Sequence, residues 1–224
     1  MDLAPSPALH YCSTGSSVVF LDPDQNRYFK LPPRLEAAFR AVILFEPTSS
    51  DDCDAIDILK RRKILVSGTA SSGAVSGPGV LPLRADIPTS DDVRPSLILT
   101  GRALVLRVWA ASITRRQTLG ELIQVIETAA RLRTVPPEQN HASVLHRISA
   151  AVRRVDRIIS PREQCLPRSL CLHMLCRWAG IDTCMVLGVR DDPFQAHCWV
   201  QSGGVAVSGD FEQASLFTPI LVIA

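Results

Sequence analysis

Three residues of this 224-residue chain have the types and spacing that thiol chemistry requires: Cys165, His197 and Asp210. Cys165 stands just ahead of Pro167, a residue suited to the first turn of a helix because the N–H it lacks would have no partner there. A thiol at a helix N-terminus meets unpaired N–H groups and the positive end of the helix dipole, and both favour thiolate over thiol. The same N–H groups can hold the oxyanion that forms when a carbonyl is attacked. His197 follows thirty-two residues later on a β-prone run, and Asp210 thirteen residues beyond it, past a turn. On adjacent antiparallel strands two such residues can face each other. The set then has the logic of a nucleophile, a general base and an orienting carboxylate. Spacing alone leaves a second reading open, because five His and seven Cys offer many pairings and a core thiol beside a hydrogen-bonded histidine would look the same.

The elements that must position these residues follow from the pattern around them. Leu119, Leu122, Ile123, Ile126 and Ala130 share one helical face, as do Val144, Leu145, Ile148, Val152, Val155 and Ile159 in a second segment, with Pro136 and Pro137 between. A third helix is expected from about Pro167 to Ala179, closed by Gly180, with Arg168 as an added charge or an anchor. The run Cys184 to Arg190 reads as a buried strand, Asp191-Asp192-Pro193 as a turn, and Ala196–Gln201 with Val205–Val207 as a hairpin around Ser202-Gly203-Gly204. Helices first and an antiparallel sheet afterwards is an α+β layout. From Arg102 to Arg162 eleven arginines face four acids, which describes either a solvated helix face or a surface for an acidic partner.

Ahead of this unit lies a stretch of different character. Ser67 to Gly79 is filled mostly by Ser, Gly and Pro, and a Pro-punctuated polar run continues to Pro95. The expected division is residues 1–66, a linker over 67–95, and residues 96–224. In the first unit, Ser17–Leu21 and Arg27–Leu31 form a hairpin across Asp22-Pro23-Asp24-Gln25-Asn26. Leu35, Ala38, Phe39, Val42 and Ile43 then keep helical spacing, and a second helix runs from Ser50-Asp51-Asp52 through Ile56 and Leu59. Strands followed by short helices make a small winged-helix-like module, and it carries no cluster of reactive side chains. Binding, or support of its neighbour, is therefore the role left to it.

Composition narrows the class. Forty-six per cent hydrophobic residues with 21% charged describe a chain that buries a core, and a net charge of +2 gives no argument for nucleic acid or membrane. No basic start followed by an apolar run is present, nor 18 successive apolar residues, so a cytoplasmic protein is expected. Seven cysteines without framework spacing fit reduced thiols. No metal is expected, because Cys171 and His173 fall on opposite sides of a helix and no CxxC pair exists. No cofactor is implied either. Ser169 is disfavoured as a nucleophile because it lies a full turn inside its helix, where its hydroxyl can satisfy a carbonyl.

The wording of the motifs adds what spacing leaves open. Cys165-Leu166-Pro167-Arg168-Ser169-Leu170, Trp178-Ala179-Gly180-Ile181, Gly188-Val189-Arg190, Pro193 through Val200 with Ala196-His197-Cys198-Trp199-Val200, and Phe217-Thr218-Pro219-Ile220 resemble one family. That family is the lasso peptide biosynthesis B protein, a transglutaminase-like cysteine protease that removes the leader from a lasso precursor. The resemblance spans about residues 97–224. Residues 1–66 resemble, more loosely, the leader-recognition element of such systems, related to the small peptide chaperone of quinone-cofactor biosynthesis.

The resemblance implies a transglutaminase-like, papain-like fold and a fused protein with recognition and proteolysis on one chain. Cys165 matches the nucleophile, His197 the base and Asp210 the third member, with Glu212 as the alternative acid two residues on. It implies a precursor peptide as substrate and an ATP-dependent, asparagine-synthetase-like macrolactam cyclase as partner. Arg27, Tyr28, Phe29 and Lys30 are the candidate leader-binding residues, offering a sheet edge to an added strand. Two other classes stay open: an acyltransferase that passes the acyl group to an amine, and a non-catalytic peptide-binding scaffold.

Overall fold

The computed structural model describes residues 3–15, 17–44, 50–68, 80–88, 96–131, 141–159 and 164–224. Among these, three sheets and seven helices form a mixed α/β architecture.

The N-terminal part contains β1 (Leu3–Pro5), β2 (His10–Ser13), β3 (Val18–Asp22), β4 (Arg27–Lys30), α1 (Pro33–Ile43), α2 (Ser50–Arg61) and β5 (Leu65–Ser67). The turn formers at 22–26 do what their chemistry suggests: Asp22 Oδ1 accepts from the N–H groups of Asp24 and Gln25, and β3 and β4 pair in register from Asp22↔Arg27 to Val19↔Lys30. β2, β3 and β4 form one sheet, while β1 and β5 make a separate antiparallel pair that closes the part on itself. That pair breaks the expected order of strands followed by helices. Its segments are three residues each, too short for alternation to register in sequence.

β3 decides how this part sits on the rest. Its first four residues, Val18-Val19-Phe20-Leu21, are all buried. Side chains alternate across a strand, and here Val18 and Phe20 enter a cluster with Leu35, Phe39 and Leu59. Val19 and Leu21, with Cys12, enter the large cluster built from the C-terminal helices and sheet. The N-terminal sheet is thus sandwiched, and the two parts share a core. Polar contacts fix the orientation. Asn26 Oδ1 accepts from Leu119 N–H at 2.6 Å, Pro23 O from Gly120 N–H at 3.0 Å, and Ser17 Oγ donates to Asp191 Oδ2 at 2.6 Å. Lys30 forms an ion pair with Asp191.

The C-terminal part begins with β6 (Ala85–Asp86) and continues with α3 (Leu97–Ile113), α4 (Leu119–Arg131), α5 (His141–Asp156), α6 (Cys165–Trp178), β7 (Cys184–Arg190), β8 (Gln195–Ser202), β9 (Val205–Ala206), α7 (Phe211–Ala214) and β10 (Thr218–Ile223). Most of the expected linker lies outside the described residues. Within it, however, Ser67 ends β5, and Ala85–Asp86 adds to the sheet as an edge strand, parallel to β9. The five-stranded sheet, ordered β10-β7-β8-β9-β6, is therefore mixed and not purely antiparallel. Its two-residue β6 is anchored from outside by Arg84 N–H to Gly204 O and Ile87 N–H to Ala206 O.

α3 carries no readable helical stripe, because apolar residues surround it: Ala103, Leu106 and Ala110 are buried while Leu97, Ile98 and Val105 are exposed. α6 ends in a Schellman arrangement, with Ile181 N–H bonded to Cys176 O, Gly180 N–H to Arg177 O, and Gly180 at φ 79°. No helix among the described residues is long and apolar enough to cross a membrane.

Candidate active site

α6 and β8 bring the reactive residues together. Cys165 is the first residue of α6 and half-buried, with Gln164 as N-cap. His197 is buried on β8 beside the N-terminal turn of that helix. A hydrogen bond inside the core ties helix to strand: Ser169 Oγ donates to Cys198 O at 2.8 Å. The serine that lay too deep in the helix to attack a substrate thus satisfies a carbonyl, but of the neighbouring strand and not of its own helix.

His197 Nε2 and Asp210 Oδ2 are 2.9 Å apart. That bond leaves Nδ1 for the Cys165 thiol, which is hydrogen-bonded to the ring. Glu212 is exposed on α7, so of the two carboxylates left open by sequence Asp210 is the one on His197. Asp210 is held in turn, its other oxygen accepting from Ser208 Oγ. Arg168 completes the support. Its Nε donates to Asp156 Oδ2 at 2.7 Å, one Nη donates to Ser208 O at 2.7 Å, and the other lies 3.9 Å from Asp210 Oδ2. Asp86 Oδ1 accepts from Phe211 N–H at 2.8 Å and fixes the start of α7 just after Asp210.

The electrostatics follow from these contacts. Burial raises the Cys165 thiol pKa, but the hydrogen bond and positive charge of His197, with the N–H groups of Cys198 and Leu166, hold it below the ordinary thiol value. Burial lowers the His197 pKa, while Asp210 and Cys165 raise it further through hydrogen bonds and charge, to about 9. Burial raises the Asp210 pKa, and the bonds from His197 and Ser208 more than offset it, leaving the carboxyl below its usual value. Between the lowered thiol pKa and about pH 9 the pair is thiolate and imidazolium. That state combines a nucleophile with a proton donor for a leaving group.

Aromatic rings fix the plane of the imidazole. Trp199 stacks on His197 at 6.1 Å and 19°, and Phe217 lies 5.3 Å away. Room for both rings comes from Gly188, opposite His197 in the β7–β8 register, where a Cβ would sit 2.7 Å from Trp199 Cζ3 and 2.9 Å from Phe217 Cβ. Gly188→Ala is therefore expected to cost about 1–3 kcal/mol through overpacking and to slow alkylation of Cys165 as the rings shift against His197. An unchanged melting temperature with unchanged alkylation would contradict this.

The remaining cysteines have another character. Cys12 and Cys171 are buried and pushed up to about 12, and Cys176 and Cys198 are raised by burial as well. His173 is buried, bonded through Nδ1 to Thr183 Oγ1 at 2.9 Å, and lowered by burial to about 4, so it is neutral. Among the described residues no group of His, Cys, Asp and Glu is arranged to hold a metal ion.

The four candidate leader-binding residues separate by strand alternation. Phe29 stacks on Phe20 at 5.1 Å inside the N-terminal core, with the Arg27 guanidinium 5.2 Å above its ring. Lys30 reaches Asp191 across the interface. Tyr28 points the other way, packing on the large core together with Cys165, with its ring 5.5 Å from Phe194. It is close enough to Cys165 and Cys198 for their charges to raise its pKa, after burial as the main cause. The N-terminal part therefore packs, through Tyr28, on the same core as Cys165, which no spacing in the sequence indicated. Asp156 and Ser208 were missed as well. The available signals were that Asp156 is the only acid in α5 and that Ser208 stands two residues before Asp210.

A family model described as the transglutaminase-like superfamily matches residues 103–222. The chain belongs to the transglutaminase-like superfamily. The matched span begins in α3 and ends in β10, so it includes Cys165, His197 and Asp210. The superfamily usually comprises cysteine-based enzymes, and its domain is compatible with both thiol proteolysis and acyl transfer. No curated protein and no solved structure matches this transglutaminase-like chain.

Proposed function

We propose that this chain is a cysteine leader peptidase of lasso peptide biosynthesis, fused to a winged-helix-like leader-recognition element. The observation that carries the reading is the Cys165–His197–Asp210 constellation, with a thiolate-favouring environment at a helix N-terminus. The motif resemblance around Cys165 and His197 supplies the substrate class.

In this reading the Cys165 thiolate attacks the carbonyl at the leader–core junction, forming a C–S bond and an oxyanion beside the N-terminal turn of α6. The C–N bond then breaks as the His197 imidazolium gives its proton to the departing core amine. Water, deprotonated by the now neutral His197, attacks the thioester and releases the leader as a carboxylate. Asp210 holds the imidazole in the orientation both steps need. The freed amine is the group a partner macrolactam cyclase would join to an acidic side chain.

The N-terminal part suits capture of the leader. β4 is an outer strand of its sheet, next to a groove of about 670 Å³ lined in part by Arg27, Phe29, Lys30, Arg62 and Lys63. A leader added along this strand would take main-chain hydrogen bonds from it. Because Tyr28 on the same strand packs on the large core within reach of the Cys165 charge, Tyr28→Ala is expected to lower stability by about 2–4 kcal/mol and to slow precursor cleavage at least tenfold. Cleavage at the wild-type rate would count against a path along β4.

Intact mass spectrometry of the precursor peptide tests the reading, with wild type or Cys165→Ala and with or without the cyclase. A leader-sized loss seen with the wild type alone supports it. A product carrying an added amine in place of water would assign acyl transfer, and retained, bound precursor under every condition would assign a recognition scaffold.

A further inference from the structure

The groove beside β4 carries charges of both signs, and they differ in how the fold engages them. Asp22 and Asp24 line it, but both carboxyl groups are committed within the chain. Asp22 Oδ1 accepts from the N–H groups of Asp24 and Gln25, and Asp24 turns its Oδ1 onto Gly120 in the first turn of α4. Two of the four cations are committed as well, since the Arg27 guanidinium lies over the Phe29 ring and Lys30 pairs with Asp191. Arg62 and Lys63 remain. Both are exposed, and among the described residues neither side chain has a hydrogen bond or an ion pair.

Lys63 is also held in a conformation that costs free energy. At φ 56° it closes α2 as a left-handed residue, with its N–H bonded to Lys60 O and Ile64 N–H to Leu59 O, both at 2.9 Å. Glycine takes such a position without the clash of a Cβ, so ending the helix gives no reason for a lysine. Among the described residues the other positive-φ residue that is not glycine is Asn26, whose side chain has a use: it accepts from Leu119 N–H. What Lys63 has and glycine lacks is an ammonium group beside Arg62, at a groove whose apolar lining includes Leu9, Phe29 and Leu31.

We propose that this groove selects an acidic leader segment: a strand added along β4 seats an apolar side chain on Leu9, Phe29 and Leu31 and an Asp or Glu carboxylate on Arg62 and Lys63. Alternate side chains of an added strand face one side, so one strand can present both groups to the groove. Arg62 offers the carboxylate a planar pair of donors and Lys63 a point charge. The inference rests on the reading of the N-terminal part as a leader-recognition element, and it is independent of the chemistry at Cys165.

The test uses the full chain carrying Cys165→Ala and a fluorescein-labelled peptide of the precursor's leader, with binding read by anisotropy. Replacing the leader's acidic residues one at a time by their amides should find one whose loss weakens binding about fivefold or more. Arg62→Glu with Lys63→Glu should weaken the native leader at least tenfold, and changing that one acid of the leader to Lys should restore much of the affinity. Raising the salt concentration should weaken the native pair and leave the doubly reversed protein with the native leader no tighter. Lys63→Gly separates strain from recognition, for it should melt higher than Lys63 protein and yet bind the leader about threefold more weakly. Full affinity in the Arg62→Glu, Lys63→Glu protein would overturn the proposal, as would a leader in which every acid can be replaced without loss. Lys63→Gly with unchanged binding would reduce Lys63 to a helix end and overturn its part. A leader peptide that fails to bind the protein with Arg62 and Lys63 intact would instead remove the leader recognition on which the proposed function stands.

Discussion

Cys165→Ala is expected to yield a folded protein that binds precursor and cleaves none of it, a loss of roughly 10⁴-fold or more. The fold should survive, because Cys165 is half-buried and contributes one small side chain at the edge of the large core. The chemistry should not. The other cysteines near the site are buried thiols, and Cys198, the next residue after His197, is pushed far above the ordinary thiol value by burial. None can take over the attack. His197→Ala should resemble Cys165→Ala in turnover but differ in alkylation. Without the imidazole, burial dominates the Cys165 environment and the thiol pKa rises, so iodoacetamide labelling near neutral pH should fall by roughly tenfold or more. Rapid labelling of Cys165 in the His197→Ala protein at neutral pH would show that the helix N-terminus alone makes the thiolate.

Asp210→Asn is expected to lower turnover by roughly 10²–10⁴-fold and to move the alkaline limb of the pH profile. In the wild type, activity should rise as pH passes the lowered thiol pKa and fall as pH passes about 9, where His197 loses the proton meant for the leaving amine. Asparagine removes a charge that raises the histidine, so the upper limb should shift to lower pH. The same linkage acts on folding. The folded His197 value lies above 6.5, so its contribution to stability is full below 6.5 and is lost as pH rises through about 9. Asp210 is displaced downward, so its contribution is present above the unfolded carboxylate value and is lost as pH falls through the folded one. An upper limb still near 9 in the Asp210→Asn protein would remove Asp210 from the set that charges His197.

Much of the site could be read from the chain because its parts are local. Pro167 marks the first turn of α6 two residues from Cys165, and Gly180 supplies the left-handed residue that ends it, so the helix and its N-terminal thiol follow from short-range conformational rules. β7, β8 and the turn at residues 203–204 follow likewise from β-prone runs broken by glycine. α3 was less legible, for it is apolar around its circumference and its one buried charge, Arg107, gives no stripe. β1, β5 and β6 are only two or three residues long and exist because distant backbone completes their hydrogen bonds.

What the sequence determined by itself was the chemistry available: a thiol at a helix start, a histidine on a strand, and carboxylates a turn away. Only the tertiary structure decided which groups meet. It placed Asp210 and not Glu212 on His197, because α7 begins at Phe211 and turns Glu212 outward. It placed Tyr28 on the core that Cys165 also packs against, because β3 buries both of its faces and so pulls the N-terminal sheet onto that core. It also buried Arg107 where α3 meets α5 and α6, with no hydrogen-bond partner for its guanidinium among the described residues. The physical reason is the same in each case. Helices and turns are set by interactions a few residues apart, whereas these contacts join segments up to well over a hundred residues apart, and the free energy of burying apolar surface between them has no short-range pattern to announce it.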